Sequence, residues 1–188
     1  MNILITGFEP FAGRTVNLSW KVASRIAALP EFADVVKAVR LPVSFGKTPA
    51  AIREAMTQFN PDVVLMLGFS SLRTCINVER VAINVKDARI PDNDGNRPVD
   101  EPIVVNGLNA IFSTLPIKSV LAAIESAGVD AKISNSAGTY VCNTSFYTAL
   151  YYAQQRHCKV GFVHLPDMDV EVAVNGITAA IKNILVNE

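Results

Sequence analysis

The stretch VVLMLG, residues 63–68, sets five apolar side chains in a row and stops them with a glycine. A strand with one face in water alternates apolar and polar residues. An unbroken run instead reads as a strand covered on both faces, as in a parallel sheet with helices above and below. The segments on either side repeat the theme. Ile3-Leu4-Ile5, ended by Gly7, is a first buried strand, and Val35 to Leu41 is a second. Val78 to Val85 reads as one continuous strand, and Ala131 to Ser134 and Val160 to His164 as shorter ones. Between them, apolar residues recur at helical spacing over Asn17 to Leu29, Pro49 to Phe59, Ile117 to Ala127, Asn143 to Gln155 and Val170 to Leu185. Pro49 falls in a first turn, where a missing N–H costs nothing. This alternation predicts a three-layer α/β/α sandwich around an open, mostly parallel twisted sheet, with residues 1–188 forming one domain.

The composition, 50% hydrophobic and 18% charged over 188 residues, is that of a globular chain able to bury a core. Seventeen Lys and Arg balance seventeen Asp and Glu, so no overall electrostatic footprint points to nucleic acid or to an anionic membrane. The opening MNILITGFEP lacks a positive leader and breaks at Gly7, unlike a secretory signal. No apolar run approaches the ~20 residues that span a bilayer. The expected address is the cytoplasm. Three cysteines, Cys75, Cys142 and Cys158, show no Cys-x-x-Cys spacing, which argues against a disulfide framework or a structural zinc site. Gly46-Lys47-Thr48 looks like the end of a phosphate-binding loop, but that motif needs a glycine where Leu41 stands, so a helix start is expected there. Residues 86–102, KDARIPDNDGNRPVDEP, read as a long ordered loop or irregular hairpin, and loops of that length in compact domains often carry function.

Cys142 stands out within SNSAGTYVCNTSFY, residues 134–147, after a small-residue turn and next to a helix-like segment. Open α/β sheets gather ligands at the carboxyl ends of strands, and a helix N-terminus favours the nucleophilic thiolate. The competing reading of Cys142 is a small buried hydrophobe. A nucleophilic thiol needs a base. Of the two histidines, His157 lies in a polar stretch after a helix, whereas His164 ends the apolar run Val160-Gly161-Phe162-Val163. His164 is therefore the better candidate, against a purely structural imidazole. A third group should orient that ring. Glu79 is a carboxylate on an otherwise apolar strand, costly there unless paired. Arg80 faces the opposite side of the strand, so Glu79 either meets His164 or lies on an edge facing water.

These residues fall within a wider pattern. GFEPF at 7–11, NLSW at 17–20, LPVSFGK at 41–47, VERVAIN at 78–84 and DARIPDN at 87–93 are followed by DEPI at 100–103, FSTLPIK at 112–118, SNSAGTYVCN at 134–143 and GFVHLP at 161–166. In that order they resemble the pyroglutamyl peptidase I family of cysteine peptidases, also called pyrrolidone-carboxylate peptidases, along nearly the whole chain. The resemblance implies an α/β/α sandwich and a triad on Cys142, His164 and Glu79. It implies removal of an N-terminal pyroglutamyl residue from peptides through a thioester, with no metal or cofactor. It places the backbone N–H of Cys142 and the side chain of Arg89 beside the oxyanion. Phe8 and Phe11 would sandwich the lactam ring, Asn17 and the backbone at Phe69 would meet its polar edge, and Ile90, Tyr140 and Val141 would complete the wall. It also implies a homo-oligomer, a dimer or tetramer. The chain departs from the pattern at Ala12, where glycine is expected, at Leu18, where proline is expected, and at Phe69, where many members carry glutamine. The segment after His164 is also shorter than the pattern leads one to expect. Two other functions remain open on these residues: a thiol amidase for another small cyclic or acyl amide, and a non-catalytic relative that keeps the scaffold.

Overall fold

In the computed structural model, which describes residues 1–187, the 63–68 run lies within the third strand from one edge of a six-stranded sheet. The elements in chain order are β1 (Ile3–Phe8), α1 (Leu18–Ala27), β2 (Val36–Leu41), α2 (Thr48–Phe59), β3 (Val63–Phe69), β4 (Ile76–Glu79), β5 (Val81–Ile83), β6 (Ala110–Phe112), α3 (Ile117–Ser126), β7 (Ala131–Ser134), α4 (Val141–Ala153), β8 (Lys159–Leu165) and α5 (Val170–Asn187). A short 3-10 turn covers Pro30–Phe32. The sheet order is β2-β1-β3-β8-β4-β7. Every pairing is parallel except β4 with β8.

Both faces of the central strands are covered, as the unbroken apolar runs require. Every residue of β1 and β3 is buried. On one face Ile3, Ile5, Val63 and Leu65 pack with Val22 and Ile26 of α1, Ile124 of α3 and Ile177 of α5. On the other, Leu4, Val64, Met66 and Phe162 pack with Ile52 and Met56 of α2 and Phe146 and Leu150 of α4. Each such side chain contributes about 1.5–3 kcal/mol on leaving water, so the two layers of helices hold the sheet mainly through apolar burial. The three-layer, mostly parallel architecture expected from the sequence is the one observed.

Three details differ from the sequence reading. The predicted strand Val78–Val85 is two strands. β4 ends at Glu79 inside the main sheet, while β5 leaves it to pair antiparallel with β6. The bend falls at Arg80, whose N–H donates to the Ser134 carbonyl and whose own carbonyl accepts from Ser113 N–H. β6 had no sequence signal, being three residues long with Phe112 largely exposed. Gly7 does not end β1. A Cβ there would lie 2.6 Å from the backbone of Ser19, so the glycine instead lets α1 lie against the strand.

The 86–102 loop is an irregular hairpin closed by two hydrogen bonds between Lys86 and Glu101. Asp92 anchors its tip. Burial alone would raise this carboxyl, but N–H donors from Phe45, Asn96 and Asp94 outweigh it and hold the group below its ordinary range. Lys47 starts α2 and pairs with Asp94 of the same loop at 2.6 Å, so Gly46-Lys47-Thr48 is a helix start and a loop anchor.

Candidate active site

The site is built by strand register. Gly68 of β3 pairs with His164 of β8, His164 with Asn77 of β4, and Asn77 with Lys132 of β7, which makes one straight row across the sheet. Two residues along each strand, a second row runs Met66, Phe162, Glu79, Ser134. Phe162 packs under α4, and side chains two apart on a strand share a face, so His164 and Glu79 both turn to the α2/α4 side. They are diagonal neighbours across the antiparallel β8–β4 pair. His164 Nδ1 lies 2.8 Å from Glu79 Oε1, and both side chains are buried. A carboxylate accepts from Nδ1–H, which fixes the tautomer and leaves Nε2 as the ring's free basic atom. Gly68 makes the space for this. A Cβ there would sit 2.9 Å from His164 Cδ2 and 2.7 Å from the Phe162 ring.

A buried carboxylate needs more than one partner. The second is Arg73, which donates to Glu79 Oε1 at 3.2 Å, to Asn77 Oδ1 at 3.3 Å and to the Ser136 carbonyl at 2.8 Å. Sequence reasoning missed it. The internal carboxylate is paired, as its burial demands, but its cation comes from the turn six residues earlier, where no periodicity marks it.

Cys142 enters from above the sheet. The helix begins two residues earlier than the sequence suggests, at Val141, so Cys142 lies inside the first turn of α4. N–H groups there have no helical acceptor and point outward. The turn before it is held by Gly138 in a left-handed conformation, φ +79°, with its N–H on Ser136 Oγ. Asn143 locks the helix start to β5 by accepting from Ile83 N–H and donating to the carbonyls of Ile83 and Val85. Cys142 is half-buried, open to a slot yet packed round by protein. Burial, and then the negative charge of Glu79, push its thiol up to about 12, against a smaller lowering by its own backbone N–H. This differs from the thiolate that a helix N-terminus alone would favour, because desolvation and the Glu79 charge both oppose the anion. A thiolate here requires a cation beside it.

Phe8, Phe11, Asn17, Phe69, Tyr140 and Val141 line the slot that Cys142 faces, together with Val43. Its walls are braced. Tyr140 donates its hydroxyl to the Pro91 carbonyl and meets Phe45 edge-on at 5.2 Å. Arg14 lies over the Phe69 ring at 4.7 Å. Asn17 caps α1 by accepting from Ser19 N–H, and gives one amide hydrogen to the Glu9 carbonyl. The slot is narrow: the space open to the centre of a water-sized sphere is about 10 Å³, roughly what one water needs. The half-buried Phe11 leads into the exposed turn 12–16, where Ala12 has φ +52° and Gly13 φ +75°. Ala12 thus stands where glycine is expected and adopts glycine's conformation at a steric cost. Leu18 takes the first helical position of α1, a place that suits proline without requiring it.

Other expected residues are not gathered in. Arg89 and Ile90 are exposed on the hairpin loop and do not line the slot. His157 is exposed ahead of β8, at the opposite end of the strand from His164. Cys75 and Cys158 are free thiols outside the slot, and burial raises Cys158 to about 11. Among the described residues no group of three or more His, Cys, Asp or Glu side chains is placed to hold a metal ion.

The family model for pyroglutamyl peptidases matches residues 1–186 of this chain. The pyrrolidone-carboxylate peptidase of Streptomyces coelicolor is 50% identical over 87% of the chain and 77% of its own length. That of Thermosipho melanesiensis is 42% identical over 98% of each. Among solved structures, pyroglutamyl peptidase I from Bacillus amyloliquefaciens superposes with a TM-score of 0.94 at 34% identity, covering 99% of this chain and 95% of that one. Pyrrolidone carboxyl peptidase from Thermococcus litoralis gives 0.93 at 32% identity over 98% and 93%.

Proposed function

The chain belongs to the pyroglutamyl peptidase family, and on that premise we propose that it cuts the amide bond after an N-terminal pyroglutamyl residue with Cys142 as nucleophile, His164 as general acid–base and Glu79 as the group that orients it. The observation that carries this reading is the buried 2.8 Å contact of His164 Nδ1 with Glu79, whose charge is felt by the Cys142 thiol at a helix N-terminus facing an apolar slot.

The site geometry and the family pattern together support the following steps. The lactam ring enters between Phe8 and Phe11, its polar edge meeting the second amide hydrogen of Asn17 and the backbone at Phe69, with Tyr140 and Val141 closing the side. The Cys142 thiol gives its proton to His164 Nε2 as sulfur attacks the pyroglutamyl carbonyl carbon. The imidazolium so formed is held by Glu79 and stabilises the negative charge as it passes from sulfur to the carbonyl oxygen. The backbone N–H of Cys142 receives the oxyanion. Arg89 joins it only by swinging in from its exposed position, and Ile90 likewise reaches the slot only by a loop movement. His164 then protonates the leaving amine. The thioester is hydrolysed by a water that gives its proton to His164, and the thiol is restored on release of pyroglutamate.

Hydrolysis of pyroglutamyl coumarylamide beside its prolyl and alanyl analogues tests this. A dry, neutral slot rejects a charged α-amine, so the pyroglutamyl compound is expected to react at least about 100-fold faster in kcat/KM. Comparable turnover of the other two would point instead to a thiol amidase of broader taste.

Arg73 acts in this scheme as a positioning residue, because it holds Glu79 and the Ser136 carbonyl of the turn before Cys142. Arg73→Ala is expected to lower kcat for the coumarylamide about tenfold with KM little changed, and Arg73→Lys to recover part of it. A rise in KM at constant kcat would place Arg73 in substrate binding instead.

One catalytic domain, a cytoplasmic address and assembly into a homo-oligomer belong to the same reading. The three free thiols support the address. The exposed apolar side chains Val99, Val105, Leu108 and Phe112 around β6 offer a surface for self-association. No helix among the described residues is long and apolar enough to cross a membrane.

A further inference from the structure

Beyond His164 the same face of the sheet continues into a broad, shallow and open cleft of about 520 Å³ lined by polar residues. Its floor is Asn77 of β4 with Lys132 and Ser134 of β7, and its walls are Arg73 and the turn 135–138. We propose that this cleft is the subsite for the departing peptide and that it favours a carboxylate, carried by the chain within the first two residues after the scissile bond. The proposal rests on the hydrolytic function proposed above.

Strand order carries the placement. The lactam slot lies over the ends of β1 and β3, where Phe8 and Phe69 sit, and the base lies on the next strand, β8. The polar cleft lies over the two strands beyond it, β4 and β7. A substrate with its scissile bond at His164 therefore has its ring on one side of β8 and its leaving chain on the other. The cleft also shares the turn leading into Cys142, since Ser136 and Gly138 form part of its wall. Its size suits a short stretch of peptide rather than one side chain.

Charge carries the chemistry. Two cations and no carboxylate line the cleft. Arg73 is already committed to Glu79 and the Ser136 carbonyl, so it offers the ligand little. Lys132 is exposed, forms no ion pair among the described residues, and projects from an edge strand in register with Asn77. Its ammonium is the group left to meet an anion. A cation in this position discriminates modestly, because water screens it.

The test measures kcat/KM for two matched pairs: pyroglutamyl-Ala-Glu amide against pyroglutamyl-Ala-Gln amide, and pyroglutamyl-Ala-Ala acid against its amide. The first pair reports a side-chain carboxylate and the second a terminal one. In at least one pair the carboxylate form is expected to be about threefold to fivefold better, an advantage that shrinks in about 0.5 M salt. Lys132→Gln should erase that preference and Lys132→Glu reverse it, with coumarylamide turnover, which involves no carboxylate, unchanged in both. That unchanged rate also shows that the variants fold. A preference absent from both pairs, or one that survives in Lys132→Gln, overturns the proposal. Protein that leaves the coumarylamide uncut overturns the hydrolytic reading and this inference together, whereas cutting without carboxylate preference overturns this inference alone.

Discussion

Cys142→Ala is expected to abolish turnover of pyroglutamyl coumarylamide while the thermal melt stays within a few degrees of the parent. The loss should be complete because no other thiol among the described residues lines the slot: Cys75 and Cys158 lie outside it. The fold should survive because the side chain is small, half-buried and at the end of a helix whose start is fixed by Asn143. Cys142→Ser is the sharper variant. It keeps the size and a hydroxyl, but an alcohol is a far weaker nucleophile than a thiol with the same base, so its rate should also fall to background. The paired measurement is active-site labelling with iodoacetamide, read by mass spectrometry of peptides. Label at Cys142 in a Cys75→Ala/Cys158→Ala protein, lost on adding pyroglutamate, is the expected outcome. Turnover that persists in Cys142→Ala would remove this residue from the chemistry.

The legible part of the fold was the part governed by burial. Continuous runs such as 63–68 leave little choice, because a chain that buries every side chain of a strand must cover both its faces. The short pieces were hidden for the opposite reason. β6 has three residues and pairs only with β5, so its place comes from the break at Arg80 and the carbonyl of Ser134, a contact 54 positions away. The antiparallel insertion of β4 between β8 and β7 was equally silent, since periodicity carries no strand direction. Yet that insertion makes the site. It brings Glu79 alongside His164 from a strand running the other way, and the requirement that a buried carboxylate find a partner is what made the pair foreseeable.

The thiol shows what sequence reasoning leaves out. A helix N-terminus was expected to favour the thiolate at Cys142, and the helix does begin at Val141. What a sequence does not display is how much protein lies around a side chain. Here desolvation and the nearby Glu79 carboxylate both work against the anion. The slot was legible only through the family pattern, since Phe8 and Phe11 in isolation read as core. Arg89 and Ile90 show the converse, positions carried over from that pattern that lie exposed on the hairpin loop.

The second large effect should therefore be seen at His164, and in two readouts at once. His164→Ala is expected to lower kcat by about 10²–10⁴-fold, the usual contribution of a positioned acid–base group, with a smaller change in KM because the slot is untouched. It should also silence Cys142 towards alkylation. Without the imidazole, nothing in the pocket takes the thiol proton, and burial beside Glu79 holds the group near about 12. The sign follows directly: with the thiol held well above its ordinary range, the protonated form dominates at pH 8 and little thiolate is present to react. Labelling of the variant should rise about tenfold per pH unit across the accessible range, whereas the parent should label readily near neutrality and depend less on pH. His157→Ala is the control, since that ring is exposed at the far end of β8, and it should leave both rate and labelling as they are. A kinetic loss in His164→Ala without any loss of labelling would mean that the thiolate is stabilised by the helix and that His164 serves only the leaving group. Loss in His157→Ala with His164→Ala unaffected would move the site to the other end of the sheet.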